Sequence, residues 1–152
     1  EEYSSYMMNL GFKVKICDSP KHVTDNCNLI ITTTAATEPI LFADDIQPGT
    51  HITAMGSDTT AKQELDPNIM EKADCVVADS ISQCTKRGEI SHALRDRKLT
   101  KNNIVELGHV LNGQHPGRTA EDQITVADLT GVAVQDIQIA TAVYESFMEN
   151  ES

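Results

Sequence analysis

The stretch that decides the fold is HITAMGSDTTAKQELD, residues 51–66. Its apolar start predicts a short buried strand over residues 51–55, and Gly56 permits a sharp turn where that strand ends. Asp58 and Lys62 then place one carboxylate and one ammonium in the loop beyond the strand. Ligands of open parallel sheets bind beyond the carboxyl ends of the strands, so the pair predicts an active site there. The alternative is a solvated turn whose two charges have no function.

Length, charge and hydropathy limit the class of protein. A chain of 152 residues is long enough for one domain with a sizeable core. Its 23 acidic and 12 basic residues give a net charge of −11, which argues against a nucleic acid partner. No apolar run reaches the roughly 18 residues of a membrane span, and the start EEYSSYMMN lacks the pattern of a signal peptide. The sequence therefore predicts a cytoplasmic protein with no membrane partner.

The four cysteines stand at positions 17, 27, 75 and 84 and follow no C-x-x-C spacing. Cys17 and Cys75 fall in apolar strand-like runs, where a thiol packs as a small apolar side chain. The sequence therefore predicts neither disulfides nor a metal site.

Strand-like and helix-like segments alternate along the chain, which is typical of a parallel sheet with crossover helices. Helical patterns occupy residues 1–10, 20–26, 66–73, 80–97 with a break near Gly88, and 102–111. Strand patterns occupy residues 13–17, 29–33, 51–55, 75–78 and 124–127. The continuous β-branched run at 29–33 predicts a strand that is buried on both faces. The predicted fold class is therefore α/β with a mostly parallel sheet.

The final segment, residues 131–150, predicts the clearest helix. Apolar side chains recur at 4-3-4-3 spacing, at Ala133, Ile137, Ala140, Tyr144 and Phe147. Further apolar residues beside this stripe make the face broad. We expect a second contact surface for this helix, in a neighbouring subunit or in a domain that this chain lacks.

Three ordered blocks resemble the signature segments of the ornithine cyclodeaminase and mu-crystallin family. They read PGTHITAMGSDTTAKQELD, ADCVVADS and VELGHVLNGQHPGRTAEDQITVADLTGVAVQD. The resemblance implies a Rossmann-type domain for NAD or NADP over residues 1–130, and a helix over residues 131–152 that returns to the substrate and dimerisation region. It also implies hydride transfer at the amine- or imine-bearing carbon of a small amino acid, in a homo-oligomer.

Family members begin the cofactor domain with a strand, a G-x-G-x-x-G-like loop and a helix. The glycines of this chain, at 11, 49, 56, 88, 108, 113, 117 and 131, contain no such spacing. The resemblance is therefore to the C-terminal half of a member, a partial Rossmann sheet without its first strand and glycine loop. Because that loop holds the pyrophosphate, we expect this chain alone to bind a dinucleotide weakly or not at all. A fragment and a free-standing truncated product both remain open.

The resemblance also implies site residues. Asp58 matches the catalytic aspartate, which assists proton transfer or water attack at the imine carbon, and Lys62 matches a lysine that contacts the cofactor. Thr32, Thr33 and Thr34 match the hydroxyl-rich strand end on which the nicotinamide ribose rests. The alternatives are a solvated lysine and the ordinary preference of threonine for strands.

Residues 128–131 match the strand-to-helix junction beside the nicotinamide. Leu129 and Gly131 are implied cofactor contacts and Thr130 an implied substrate contact, while Asp128 has the alternative role of a helix cap. Some members have serine in place of Leu129 and an apolar residue in place of Thr130, which leaves the substrate open. For three further residues we expect surface roles. His109 and His115 are interpreted as surface or capping histidines, and Arg118 as an ion-pair partner.

Two functional classes follow. One is half of a nicotinamide-dependent deaminase or imine reductase that acts only with further segments. The other is a non-catalytic, oligomerising binding module that has lost its cofactor. The missing glycine spacing favours the second, and the retained Asp58 and Lys62 favour descent from the first.

Overall fold

Short β-branched and apolar runs form a five-stranded parallel sheet in the computed structural model, which describes residues 2–150. The strands are β1 (Leu29–Thr32), β2 (His51–Ala54), β3 (Cys75–Ala78), β4 (Ile104–Glu106) and β5 (Thr125–Asp128). Their order across the sheet is β1-β2-β5-β3-β4. The α/β prediction is therefore confirmed, with a parallel sheet as expected.

Seven helices connect or flank these strands in the part of the chain that the structure describes. They are α1 (Glu2–Asn9), α2 (Pro20–Thr24), α3 (Pro67–Lys72), α4 (Ile81–Cys84), α5 (Glu89–Arg95), α6 (Leu107–Leu111) and α7 (Ala133–Asn150). The start of α3 follows its sequence signal, since the Asp66 carboxylate accepts from the Asn68 N–H at 3.0 Å and Pro67 stands first in the helix. The predicted break near Gly88 separates α4 from α5, and Gly88 has a φ of +84°.

The carboxyl ends of the five strands lie in one row, which we call the carboxyl edge. Register pairs Thr32 with Ala54, Ala54 with Asp128, Asp128 with Ala78, and Ala78 with Glu106. Helices α3 and α5 contact each other, and their buried apolar side chains join those of the strands in one core. The loops that leave the carboxyl edge are therefore held by a well-packed sheet.

Two predictions about the amino-terminal strands are wrong. Residues 13–17 form no strand: they pair with no strand among residues 2–150, and a parallel strand exists only where a neighbour supplies its backbone hydrogen bonds. β1 itself is buried on one face only: Ile30 is 4% exposed, whereas Leu29 and Ile31 are 62% and 60% exposed. No described element covers the second face.

The prediction of one helix over residues 102–111 is also wrong at its start. Ile104 and Val105 pair with β3 as the edge strand β4, and the helix begins only at Leu107. Two β-branched residues beside an available sheet edge favour the strand over the helix.

The last helix is confirmed over residues 133–150, and its apolar side chains are exposed. Ile139, Ala140, Val143, Tyr144 and Phe147 line an open apolar groove on it. Among residues 2–150, no helix combines the length and the apolar character that a bilayer crossing would require.

Candidate active site

Gly56 lies two residues beyond the end of β2, in a space that only glycine fits. A Cβ at this position would overlap the Thr34 carbonyl oxygen and the Glu64 carboxylate. The Gly56 N–H donates to Glu64 Oε2 at 2.9 Å. The turn predicted from this glycine therefore exists, and a buried carboxylate holds it.

Asp58 and Lys62 form an ion pair in the loop that follows. Lys62 Nζ lies 2.7 Å from Asp58 Oδ1, and the two side chains are 54% exposed at the aspartate and 31% at the lysine. The hydrogen bond from Lys62 lowers the pKa of Asp58 below its usual range. At neutral pH the loop thus presents an ionised carboxylate that is reachable from solvent.

Two buried side chains hold the Lys62 backbone in place. Its carbonyl oxygen accepts from Ser57 Oγ at 2.6 Å and from His92 Nε2 of α5 at 2.9 Å. Ser57 and His92 are both buried. The loop is therefore anchored to the sheet side and to α5, while its charged side chains face outward.

The three threonines at the end of β1 have different environments. Thr32 is buried and its hydroxyl donates to Glu64 Oε2 at 2.6 Å, whereas Thr33 is exposed. The Thr34 N–H donates to Glu64 Oε1, and its hydroxyl oxygen accepts from the Ala36 N–H at 3.2 Å. All three line an open cavity of about 340 Å³ above β1.

The junction of residues 129–131 is fixed by polar side chains from the β3 end. The Thr130 hydroxyl lies 3.3 Å from Asp79 Oδ1, and the Gly131 N–H donates to Asp79 Oδ2 at 2.8 Å. Gln83 of α4 donates to Thr130 Oγ1 at 2.7 Å. Sequence reasoning missed Asp79 and Gln83. Asp79 could have been found, because it stands directly after a predicted strand, as the site residues of β2 do.

Asp128 is 1% exposed and caps a helix, but not the one that follows it. Its Oδ2 accepts from the Ile90 N–H at 2.8 Å, at the start of α5. Burial raises the pKa of Asp128 to about 7, and the nearby carboxylates of Glu89 and Asp79 act in the same direction. Oδ1 is buried without a hydrogen-bond partner among the described residues.

The interpretation of Arg118 as an ion-pair partner is wrong. Its guanidinium donates to the carbonyl oxygens of Gly49 at 3.0 Å and Glu121 at 3.2 Å, and to Thr125 Oγ1 at 3.2 Å. It therefore fastens a surface loop to the amino ends of β2 and β5, away from the carboxyl edge. His115 accepts from the Gly117 N–H in the same loop, as a capping histidine does.

Three predicted segments thus meet at one edge. Register places the ends of β1, β2 and β5 side by side, so residues 32–34, 56–62 and 128–131 leave the sheet from neighbouring strands. The exposed chemical groups there are a carboxylate, an ammonium and threonine hydroxyls. Such a set can bind a polar ligand and move a proton at it.

Comparison with known proteins agrees with this arrangement. The family model described as the ornithine cyclodeaminase/mu-crystallin family matches residues 1–151. An uncharacterized cyclodeaminase, y4tK, from Sinorhizobium fredii is 41% identical over 143 residues, which are 93% of this chain and 43% of that protein.

Two solved structures have the same fold over nearly the whole chain. An archaeal alanine dehydrogenase dimer with bound NAD is 32% identical, with a TM-score of 0.91 over 99% of this chain and 47% of that one. The Thermococcus litoralis Delta(1)-pyrroline-2-carboxylate reductase, in complex with NADH and L-proline, is 25% identical, with a TM-score of 0.90 over 99% of this chain and 47% of that one. The Rossmann-type prediction is confirmed. The chain spans less than half the length of the proteins it matches.

Proposed function

The chain belongs to the ornithine cyclodeaminase/mu-crystallin family, and from that premise we propose that its carboxyl edge is the reaction end of a nicotinamide-dependent site. The reaction is deamination with cyclisation, or reduction of an imine, at the amine- or imine-bearing carbon of a small amino acid. The observation that carries the proposal is the meeting of residues 32–34, 56–62 and 128–131 at neighbouring strand ends.

Asp58 is the proposed catalytic residue. The ammonium of Lys62 keeps its carboxylate ionised, so it begins the reaction as a base and can return the proton as an acid. A bound nicotinamide would supply or take the hydride. The proton at the substrate nitrogen or at an attacking water is the part that this chain's own residues handle.

The residues at the edge fit the nicotinamide and its ribose. Thr33, Thr34 and Lys62 offer groups that are exposed or partly exposed, and the Thr32 hydroxyl, which donates to Glu64, keeps its oxygen lone pairs as acceptors. Leu129 and Gly131 are the remaining proposed cofactor contacts, and Thr130 the proposed substrate contact. The described residues contain no glycine-rich turn of G-x-G-x-x-G spacing for a pyrophosphate. We therefore assign the nicotinamide end alone to this chain, over residues 1–130.

A second candidate is a non-catalytic module that self-associates. It is favoured by α7, where Ile139, Val143, Tyr144 and Phe147 expose an apolar face to solvent. A homo-oligomer that uses residues 131–152 is compatible with both candidates. Turnover separates them, because only the first requires it.

The test is Asp58→Asn in a protein extended to the length of the relatives. Cofactor binding should be retained, because the carboxylate serves the reacting carbon, while kcat should fall at least ~100-fold. Asp25→Asn is the matched control, since Asp25 and Lys21 form another exposed pair four residues apart, at 2.8 Å, in and beside α2. The control should keep normal turnover. Unchanged turnover in Asp58→Asn would reject the proposed catalytic role.

A further inference from the structure

The loop that carries Asp58 and Lys62, residues 57–65, is held by a buried side chain from its own end. Glu64 is 0% exposed. Its Oε2 accepts from Thr32 Oγ1 at 2.6 Å and from the Gly56 N–H at 2.9 Å, and its Oε1 accepts from the Thr34 N–H. One carboxylate thus joins the ends of β1 and β2 to the end of the loop.

A second buried carboxylate, from α5, holds the same loop. Glu89 is 2% exposed, and its two oxygens accept from the backbone N–H groups of Glu64 at 2.8 Å and Leu65 at 3.1 Å. His92 lies one helical turn further along and bonds the Lys62 carbonyl oxygen. Glu89 and His92 lie on one face of α5, so the helix contacts the loop at two points.

The start of α5 is in turn fixed to the third site segment. Asp128 Oδ2 accepts from the Ile90 N–H, and a Cβ on Gly88 would lie 2.7 Å and 2.8 Å from the two Asp128 carboxylate oxygens. The first turn of α5 is therefore bonded to Asp128 and lies close against it. Through α5, the junction at the end of β5 is linked to the loop of Asp58.

Carboxylates are suited to this task for a geometric reason. Glu64 accepts three hydrogen bonds, from the Thr32 hydroxyl and from the backbone N–H groups of Thr34 and Gly56. Glu89 accepts two hydrogen bonds, both from backbone N–H groups. A glutamine of the same shape offers one acceptor oxygen and turns an NH₂ group toward the other donor. The backbone N–H group that faces the NH₂ group is then buried without an acceptor, and the repulsion between these two donors displaces the loop.

We propose that Glu64 and Glu89 are positioning residues that keep Asp58 paired with Lys62 at the carboxyl edge. Neither needs to touch substrate, because each acts through the backbone of residues 56–65. The proposal rests on the proposed function for the reaction that Asp58 serves, whereas its loop-holding part rests on contacts within this chain. It goes beyond the proposed function by naming what sets the geometry of the catalytic group.

The experiment measures the ¹³C chemical shift of the Asp58 carboxyl group by NMR in the 152-residue chain at pH 8, where Glu89 is ionised because its pKa is about 7. Lys62→Met removes the ammonium and sets the full change in that chemical shift. Glu89→Gln should give at least half of that change, together with about tenfold faster exchange of the Glu64 or Leu65 amide. Glu71→Gln, in an exposed pair with Lys98 at 2.9 Å, is the matched control and should give neither effect.

A Glu89→Gln chain that folds and keeps the wild-type chemical shift of the Asp58 carboxyl group at pH 8 would overturn the proposal. If that variant does not fold, the wild-type chain decides: the Gly56, Glu64 and Leu65 amides should exchange at least ~100-fold slower than the exposed Thr60 amide, and equal rates would overturn it. These readings need neither cofactor nor turnover. A changed chemical shift of the Asp58 carboxyl group in Glu89→Gln, together with normal turnover in Asp58→Asn, would retain the positioning role and reject the catalytic one.

Discussion

The carboxyl edge and the exposed apolar side chains of β1 and α7 differ in how their groups are partnered. At the carboxyl edge, Glu64, Glu89 and Asp128 are polar, buried and bonded to backbone N–H groups. On β1 and α7, by contrast, Ile31 and Phe147 are apolar and more than half exposed. The buried carboxylates of the first region find hydrogen-bond donors within this chain, whereas the second region leaves apolar area in contact with water.

This difference teaches where the stability of the chain comes from. Apolar burial contributes roughly 25 cal/mol per Å² removed from water, so side chains such as Ile52 and Val126 stabilise the fold and exposed ones do not. The buried carboxylates contribute differently, because they fix loops at the cost of desolvation. Substitutions at the two regions should therefore have very different effects.

The largest effect is expected at Gly56. Gly56→Ala places a methyl group against the Thr34 carbonyl oxygen and the Glu64 carboxylate, and it should lower the free energy of unfolding by roughly 3–5 kcal/mol or prevent folding. Gly108→Ala is the control, because a Cβ at Gly108 meets no atom within 4 Å. Chemical denaturation should find the control unchanged or slightly stabilised. Equal losses in both variants would show that the turn is not tightly held.

The next effect contrasts two adjacent residues of β1. Ile30→Thr puts a hydroxyl into the core and should cost roughly 2–3 kcal/mol, since Ile30 is 4% exposed. The same change at Ile31, which is 60% exposed, should stay within about 0.5 kcal/mol. The denaturation midpoints of the two variants measure both losses, provided that the unfolding free energy falls with denaturant at the same slope in each. A comparable loss at Ile31 would mean that its face of β1 is covered in solution.

The pH dependence of stability should reveal the proton on Asp128. The folded pKa is raised from 3.8 to about 7, so between these values the native chain keeps a proton that the unfolded chain has lost. The contribution is fully present below pH 3.8 and is lost as the pH rises through 7. Glu89, whose burial also raises its pKa to about 7, adds in the same direction.

Asp128→Asn should therefore weaken the decline in unfolding free energy between pH 4 and pH 7, by roughly 1–3 kcal/mol over that interval. The part due to Glu89 should remain. Asp96→Asn, at the exposed end of α5, is the control and should keep the wild-type slope. An unchanged slope in Asp128→Asn would place the proton elsewhere.

The smallest effect on stability, with a clear effect on association, is expected on α7. Tyr144→Ser with Phe147→Ser removes two exposed rings, so the unfolding free energy of the monomer should change by less than about 1 kcal/mol. Light scattering should show wild-type oligomers larger than the 16.6 kDa of one wild-type chain, and a monomeric variant. A wild-type chain that is already monomeric at micromolar concentration, without binding a dye for apolar surface, would contradict the prediction.

Elements with strong local signals could be predicted from the sequence. The strands at residues 51–55 and 75–78, the Asp66-Pro67 helix start and the break at Gly88 all depend on neighbours in the chain. Asp58 and Lys62 could be predicted because they lie in the loop that follows a strand end. Family resemblance added the junction at residues 128–131, whose site roles stay predictions.

The remaining features depend on contacts between distant residues. Whether residues 13–17 or 104–106 form a strand is decided by pairing with a strand distant in the chain, which local pattern does not contain. The roles of Glu64 and Glu89 depend on donors up to 32 residues away, and a glutamate in a polar run carries no sign of burial. Asp79 had the signal of a strand end and was overlooked.

The most direct test of the central claim is an NMR titration of the ¹⁵N-labelled chain with reduced nicotinamide mononucleotide. We expect shift changes at Thr33, Thr34, residues 56–62 and 129–131, with a Kd of roughly 1–10 mM, and none of this pattern with adenosine monophosphate. Changes confined to α7 or to the amino ends of the strands, or no changes at the carboxyl edge, would contradict the claim that this edge is the reaction end of the site.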